Sequence, residues 1–294
     1  MANIERDAVT GTETTGHEWD GLKELNTPLP KWWLYTWGAC TVFAIGMFIL
    51  LPGIPYGTGY FHGLLGDSAS SRTQVDADVK AVQAQRNVVM SKVAAASFAD
   101  IRKDPALLAA AQTAGRITFA NNCQPCHGAG GAGQLGYPAL AAGAWIWGGK
   151  LEDIQQTVTH GIRSGDADAR DSKMLNFGVD GILKPEEIQN VANYVETAFF
   201  GLTDKNATDA SVASGKEIFA ANCVVCHGEK GEGNRDVGAP RLASRVHLYG
   251  GTRDSIVKQV TQPHMGVMPN WNQRLDTATI KSVAIYVHDL GGGE

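Results

Sequence analysis

The sequence predicts a mainly α-helical chain, in which one transmembrane helix near the N-terminus precedes two tandem copies of one small domain. Three observations carry that prediction. Residues 32–51 form an uncharged run of twenty. A block that begins near residue 104 recurs at an offset of 100, and a Cys-x-x-Cys-His motif stands in each copy, at 123–127 and 223–227. The 294 residues suit about two domains. Apolar residues make up 44%, enough for packed cores, which excludes disorder throughout. The net charge of −5 argues against a nucleic-acid binder, which needs a basic patch.

Residues 1–31 read as a polar, loop-like segment. The following run, 32–51, rises 1.5 Å per residue as a helix and so spans a ~30 Å hydrocarbon core. Trp32, Trp33, Tyr35 and Trp37 suit one interface, and Tyr56, Tyr60 and Phe61 the other. Lys23 and Lys31 precede the run, whereas residues 52–71 hold no Lys or Arg. That asymmetry places the N-terminus in the cytoplasm and the rest outside. The run starts late and is followed by Pro52-Gly53-Ile54-Pro55 instead of a small-residue cleavage site, so it reads as a retained anchor. Residues 52–103 are a periplasmic linker, and the Ala/Val/Gln-rich stretch 73–98 within it reads as a solvated helix.

The repeat then defines two domains, 104–203 and 204–294. Gly115, Phe119, Asn122, Cys123, Cys126, His127 and Gly128 return as Gly215, Phe219, Asn222, Cys223, Cys226, His227 and Gly228. Pro138 and Leu140 match Pro240 and Leu242, and Gly148-Gly149 matches Gly250-Gly251. Near the ends Leu183, Ile188, Val191 and Tyr194 match Leu275, Ile280, Val283 and Tyr286, where the offset has drifted to 92 through loop deletions. Each copy reads as helix, long glycine-rich loops, helix. Asp104 can cap the first helix with Pro105 in its first turn. Leu108, Ala111, Gly115 and Phe119 share one face, as do Ile188, Val191, Ala192 and Val195, and again Ile280, Val283, Ala284 and Val287. Glycine, 35 of 294 residues against a typical ~7%, crowds the loops after each motif. Units with so few helices cannot fill a core of their own. Something else must occupy the centre.

Cys-x-x-Cys-His is the attachment signature of c-type haem. On one helical turn the thiols of Cys123 and Cys126, or of Cys223 and Cys226, reach the two vinyl groups. His127 or His227 then points at the iron. Zinc or a four-cysteine cluster would need the two pairs to converge, yet each sits in its own repeat. A thioredoxin-like dithiol needs a βαβ setting that is absent. The sequence therefore implies two covalently bound haem c groups in class I cytochrome c-like domains.

For the sixth iron ligand the first copy offers Met174, and the second Met268, with Met265 beside it. Pro269 can fix the loop that aims Met268. His160 and His264 are the alternatives. Met/His ligation raises the reduction potential and closes the iron to substrates, which suits electron transfer and assigns no catalytic residue. Arg163 and Arg241 could pair with haem propionates or stand solvated. Cys40, within the membrane run, reads as a small apolar packing residue.

The segment Asp20-Gly21-Leu22-Lys23-Glu24-Leu25-Asn26-Thr27-Pro28-Leu29-Pro30-Lys31-Trp32-Trp33 carries a more specific signal. It is similar to the pattern Asp-Gly-Ile-x-Glu-Leu-x-Asn-Pro-Leu-Pro-x-Trp-Trp of the dihaem cytochrome c subunit III (CcoP/FixP type) of cbb3-type haem–copper oxidases. Leu22 and Thr27 depart from it. The chain resembles that family over almost its whole length. The resemblance implies a non-catalytic subunit in the bacterial inner membrane, single-pass, with haem domains in the periplasm. Electrons would come from a soluble or membrane cytochrome c, or from a quinol:cytochrome c reductase. They would pass through both haems to a monohaem cytochrome c subunit and to the catalytic haem–copper subunit, which reduces oxygen to water. A free-standing, membrane-anchored dihaem shuttle shares every haem feature, but the Asp20–Trp33 segment weighs against it. A dihaem peroxidase would need one haem without its methionine.

Overall fold

The computed structural model describes residues 4–202 and 207–294, so the expected boundary between 203 and 204 lies outside the described residues. One compact unit ends at Ala84 and a second begins at Gln85.

The first unit opens with a hairpin where the sequence suggested only loop. Strands β1 (Thr14–Trp19) and β2 (Leu22–Leu25) pair antiparallel, with Trp19 opposite Leu22 and Glu18 opposite Lys23. The reason is the turn. Asp20 (φ 46°) and Gly21 (φ 83°) both take the left-handed conformation that a two-residue hairpin turn requires, and Asp-Gly tolerates it. Helix α1 (Lys31–Leu50) follows Pro30 and buries none of its residues. Its two threonine hydroxyls are satisfied within the helix: Thr36 Oγ1 donates to the Trp32 carbonyl and Thr41 Oγ1 to that of Trp37, each at 2.9 Å. It is one apolar helix of membrane-crossing length. A short hairpin, β3 (Pro55–Tyr56) with β4 (Gly59–Tyr60), comes next. Helix α2 (Ser71–Ala95) then runs out of this unit and buries Met90 and Val93 near its end.

The second unit holds α3 (Phe98–Lys103), α4 (Pro105–Asn122), α5 (Gln124–His127), α6 (Leu151–His160) and α7 (Pro185–Val195). It continues with α8 (Asp209–Asn222), α9 (Val224–His227), α10 (Arg253–Thr261) and α11 (Thr277–His288). Caps set the starts. Asp104 accepts from the N–H groups of Ala106 and Leu107, with Pro105 in the first turn of α4. Thr208 and Ser211 cap α8 reciprocally, and Asp276 caps α11.

These helices build two hydrophobic cores that do not follow the sequence repeats. Core one joins α4 and α6 of the first repeat to α11 of the second: Ala111, Phe119, Leu151, Ile154 and Val158 pack with Ile280, Val283, Ala284 and Val287. Core two joins α8 and α10 of the second repeat to α7 of the first: Phe219, Ile256 and Val260 pack with Ile188, Val191, Ala192 and Val195. The closing helices have changed places. Their faces are those the sequence marks out. The two crossings are built from the same kinds of contact. A Cβ on Gly115 would collide with the Ser282 carbonyl of α11, and one on Gly215 with the Asn190 carbonyl of α7. Phe119 stacks obliquely on Tyr286 at 5.3 Å, and Phe219 on Tyr194 at 5.4 Å. Burying a side chain like Phe119 is worth about 1.5–3 kcal/mol in either arrangement.

The choice of partner is made in the connections. Ile162 and Met268 exchange both backbone hydrogen bonds at 3.0 Å. Gly161 (φ 74°) lies against the Met268 carbonyl so closely that no side chain fits. Arg163 ties the two crossing segments, its Nε donating to the Gly266 carbonyl at 2.8 Å and its Nη1 to that of Ser172 at 3.0 Å.

Candidate functional site

Each motif occupies one helical turn at the end of a core helix. Helix α4 leads into Cys123, whose carbonyl accepts from Cys126 N–H at 3.1 Å and His127 N–H at 2.9 Å. Helix α8 leads into Cys223, with the same two bonds from Cys226 and His227 at the same lengths. Gly128 (φ 76°) and Gly228 (φ 75°) end these turns in a conformation other residues resist. The chain then folds back, and Gly133 and Gly233 donate to the His127 and His227 carbonyls.

This return brings up a residue to which the sequence assigned no role. The Pro138 carbonyl lies 3.1 Å from His127 Nδ1, and the Pro240 carbonyl 3.1 Å from His227 Nδ1. A carbonyl can only accept, so Nδ1 carries the proton in both rings and Nε2 presents its lone pair. Burial, outweighing the proline bond, lowers both imidazoles below their ordinary pKa and favours that neutral form. The match of Pro138 to Pro240 between repeats was the signal that could have found this bond.

One thiol of each pair is turned inward. Cys123 and Cys223 are pushed up to about 11, mainly by burial and secondarily by Cys126 and Cys226. Cys126 and Cys226 are exposed. A group bound to both thiols would therefore run from the core to the surface.

The methionines arrive crosswise. Met268 packs against core one, which also carries Cys123, whereas Met174 packs against core two with Cys223. The sequence paired Met174 with the first motif and Met268 with the second; the exchange of closing helices carries each to the other motif. Met265 is 41% exposed on the crossing segment. His160 is engaged elsewhere: its Nδ1 lies 2.8 Å from Asp166 Oδ1, and Asp166 Oδ2 accepts from Asn272 Nδ2 at 2.8 Å. His264 is exposed, and its backbone is bound by the Gln259 side chain.

The arginines separate. Arg163 is held by the crossing segments as described above. Arg241 lines a cleft of about 600 Å³ beside Cys226, together with Trp145, Arg235 and Asp236. The donor set suits haem c twice over: two thiols one turn apart, an imidazole with Nε2 free, and one thioether in the same core. Cys40 is exposed on α1, on the helix of membrane-crossing length, and not packed inside the protein.

Comparison with known families agrees with this organisation. Residues 11–58 match the N-terminal domain of cytochrome oxidase-cbb3, FixP. Residues 112–199 match cytochrome c, and 210–287 match cytochrome c oxidase, cbb3-type, subunit III. The chain is 49% identical over 290 residues to the cbb3-type cytochrome c oxidase subunit FixP of Bradyrhizobium sp. (strain ORS 278), covering 99% of this chain and 98% of that one. It is 46% identical over 303 residues to the subunit CcoP of Azospirillum brasilense, with both chains fully covered. To the subunit CcoP of Cereibacter sphaeroides it is 46% identical over 282 residues, covering 96% and 95%.

Proposed function

The chain belongs to the family of cbb3-type cytochrome c oxidase subunits FixP and CcoP, and from that membership we propose which residues do the family's work. It is a dihaem electron-transfer subunit of the oxidase, non-catalytic itself, with two covalently bound haem c groups. Helix α1 fits a single-pass membrane anchor.

Cys123, Cys126 and His127 would hold one haem, with Met268 as its thioether ligand. Cys223, Cys226 and His227 would hold the other, with Met174. The observation that carries this pairing is the sharing of cores, with Cys123 beside Met268 and Cys223 beside Met174. When bound, haem c supplies a one-electron iron couple. The chain's own residues tune and guard it. Pro138 and Pro240 fix the imidazole tautomer, so Nε2 would be left free to bind the iron. A thioether opposite imidazole raises the potential. The apolar cores flank these half-buried ligands, and the exposed Cys126 and Cys226 bring one side of each site to the surface, where a bound haem would exchange electrons.

The subunit works in a complex with other oxidase subunits. We assign as its neighbours the monohaem cytochrome c subunit and the catalytic haem–copper subunit. The donor is a cytochrome c or a quinol:cytochrome c reductase. Lys23 and Lys31 support a cytoplasmic segment 1–31, an anchor 32–51, a periplasmic linker 52–103 and periplasmic repeats 104–203 and 204–294. Purification in mild detergent tests the partners. The protein should migrate with copper and b-type haem; migration alone, with neither, would overturn the assignment.

A further inference from the structure

The two proposed thioether ligands are presented by differently held strands. In core one, Met268 exchanges both backbone bonds with Ile162, and Pro269 restricts the chain immediately after it. The offset of 102 that relates Pro138 to Pro240 and Gly148 to Gly250 makes His264 the counterpart of Ile162 in core two. His264 does not pair with Met174. Its N–H goes to Gln259 Oε1 at 3.1 Å, and its carbonyl accepts from Gln259 Nε2 at 3.2 Å. Among the described residues, no backbone hydrogen bond reaches Met174. No proline follows it, and its neighbour Leu175 is 58% exposed. The nearest anchor is beyond it, where Gly178 and Val179 both donate to the Thr261 carbonyl at 3.2 Å.

A neutral thioether stays on iron because the fold keeps returning it there at high effective concentration. A strand clamped at the ligand residue does so; one clamped several residues away lets the sulfur swing out. We propose that Met174 is a displaceable ligand, so that core two is a binding site for a small neutral π-acceptor molecule on the haem of His227. Core one, closed by Met268, is not. This rests on the ligand pairing proposed above. Binding breaks the bond between Met174 Sδ and iron and forms one between iron and the incoming atom, with no change in electron count on either side.

Carbon monoxide is the probe. The full-length dihaem protein, purified in detergent and reduced, is titrated while its visible spectrum is read. Half of the haem c should react, with a dissociation constant at least tenfold below that of the other half, equivalent to about 1.4 kcal/mol. Met174→His, which supplies a stronger ligand, should give one haem a bis-imidazole spectrum and abolish the uptake. Met174→Ala, which only deletes the ligand, should tighten uptake at that same haem and leave the other unchanged. Uptake by neither haem, or equally by both, would overturn the inference. So would uptake that persists in Met174→His. If Met174→His and Met174→Ala leave both haem spectra unaltered before any gas is added, the ligand pairing itself fails, a separate result.

Discussion

Core one and core two share a helix crossing and part company in their loops. Both pack a glycine against a main-chain carbonyl, set the phenylalanine four residues on from that glycine against a tyrosine, and fix the motif histidine to a proline carbonyl. The loops could hardly differ more. Residues 123–149 contain no Asp, Glu, Lys or Arg, whereas 223–242 carry Glu229, Lys230, Glu232, Arg235, Asp236 and Arg241. Core one also recruits Met90, Val93, Phe98 and Ile101 from α2 and α3, while core two is extended by Phe199 and Phe200 just after α7. The lesson is a division of labour. Helix contacts make the fold twice in one way, and the segments between them make the two sites unequal.

The largest test of that division removes the second repeat. A chain ending at residue 202 keeps Cys123, Cys126, His127 and Met174 but loses α11 and Met268. Core one should then attach haem without showing Met–iron absorption, because the strand that pairs with Ile162 is missing. A fragment that displays the absorption has closed on its own α7, and the connections would not be what selects the partner.

A smaller effect probes the shared part. Gly115→Leu and Gly215→Leu each force a side chain into a facing carbonyl, and each should cost about 1–3 kcal/mol. Denaturant midpoints with unchanged slopes would report it. Equal losses mean equivalent crossings; a clear inequality would break the symmetry claimed for them.

The smallest effect touches the polar clasp between the segments that cross beside Met268. Hydrogen bonds from Asn272, from the Asp168 N–H and from His160, in that order of importance, hold the Asp166 carboxyl down to about 2. A carboxylate depressed on folding contributes stability above about pH 4, where the unfolded chain is also ionised, and loses it as pH falls through about 2. Asp166→Asn should remove that acid-dependent part and flatten the low-pH end of an acid-unfolding curve. An unchanged curve would mean that the clasp contributes nothing.

Much of this is legible in the sequence. The faces of α4, α7 and α11, the Asp104 cap and the apolar anchor follow from spacing and residue type, and the structure places them accordingly. The N-terminal hairpin is legible in Asp20-Gly21, but the polar residues around that pair read as loop. The exchange of closing helices was not legible. Gly115 and Gly215, Phe119 and Phe219, Tyr194 and Tyr286 are interchangeable at the crossing, so either partner satisfies the pattern. What decides is the pairing of Ile162 with Met268, a contact between residues far apart in sequence that no local periodicity records.

The exchange also sets an order in time. Synthesis delivers the first motif long before Met268 and α11 exist, so core one must wait, half-built, for the last part of the chain. Core two waits less: Met174 and α7 are already present when Cys223 and His227 arrive, and only α10 is still to come. The two haem sites of one polypeptide are thus born by different routes, the later motif into a prepared seat and the earlier one into an open chain that only the final helix can shut.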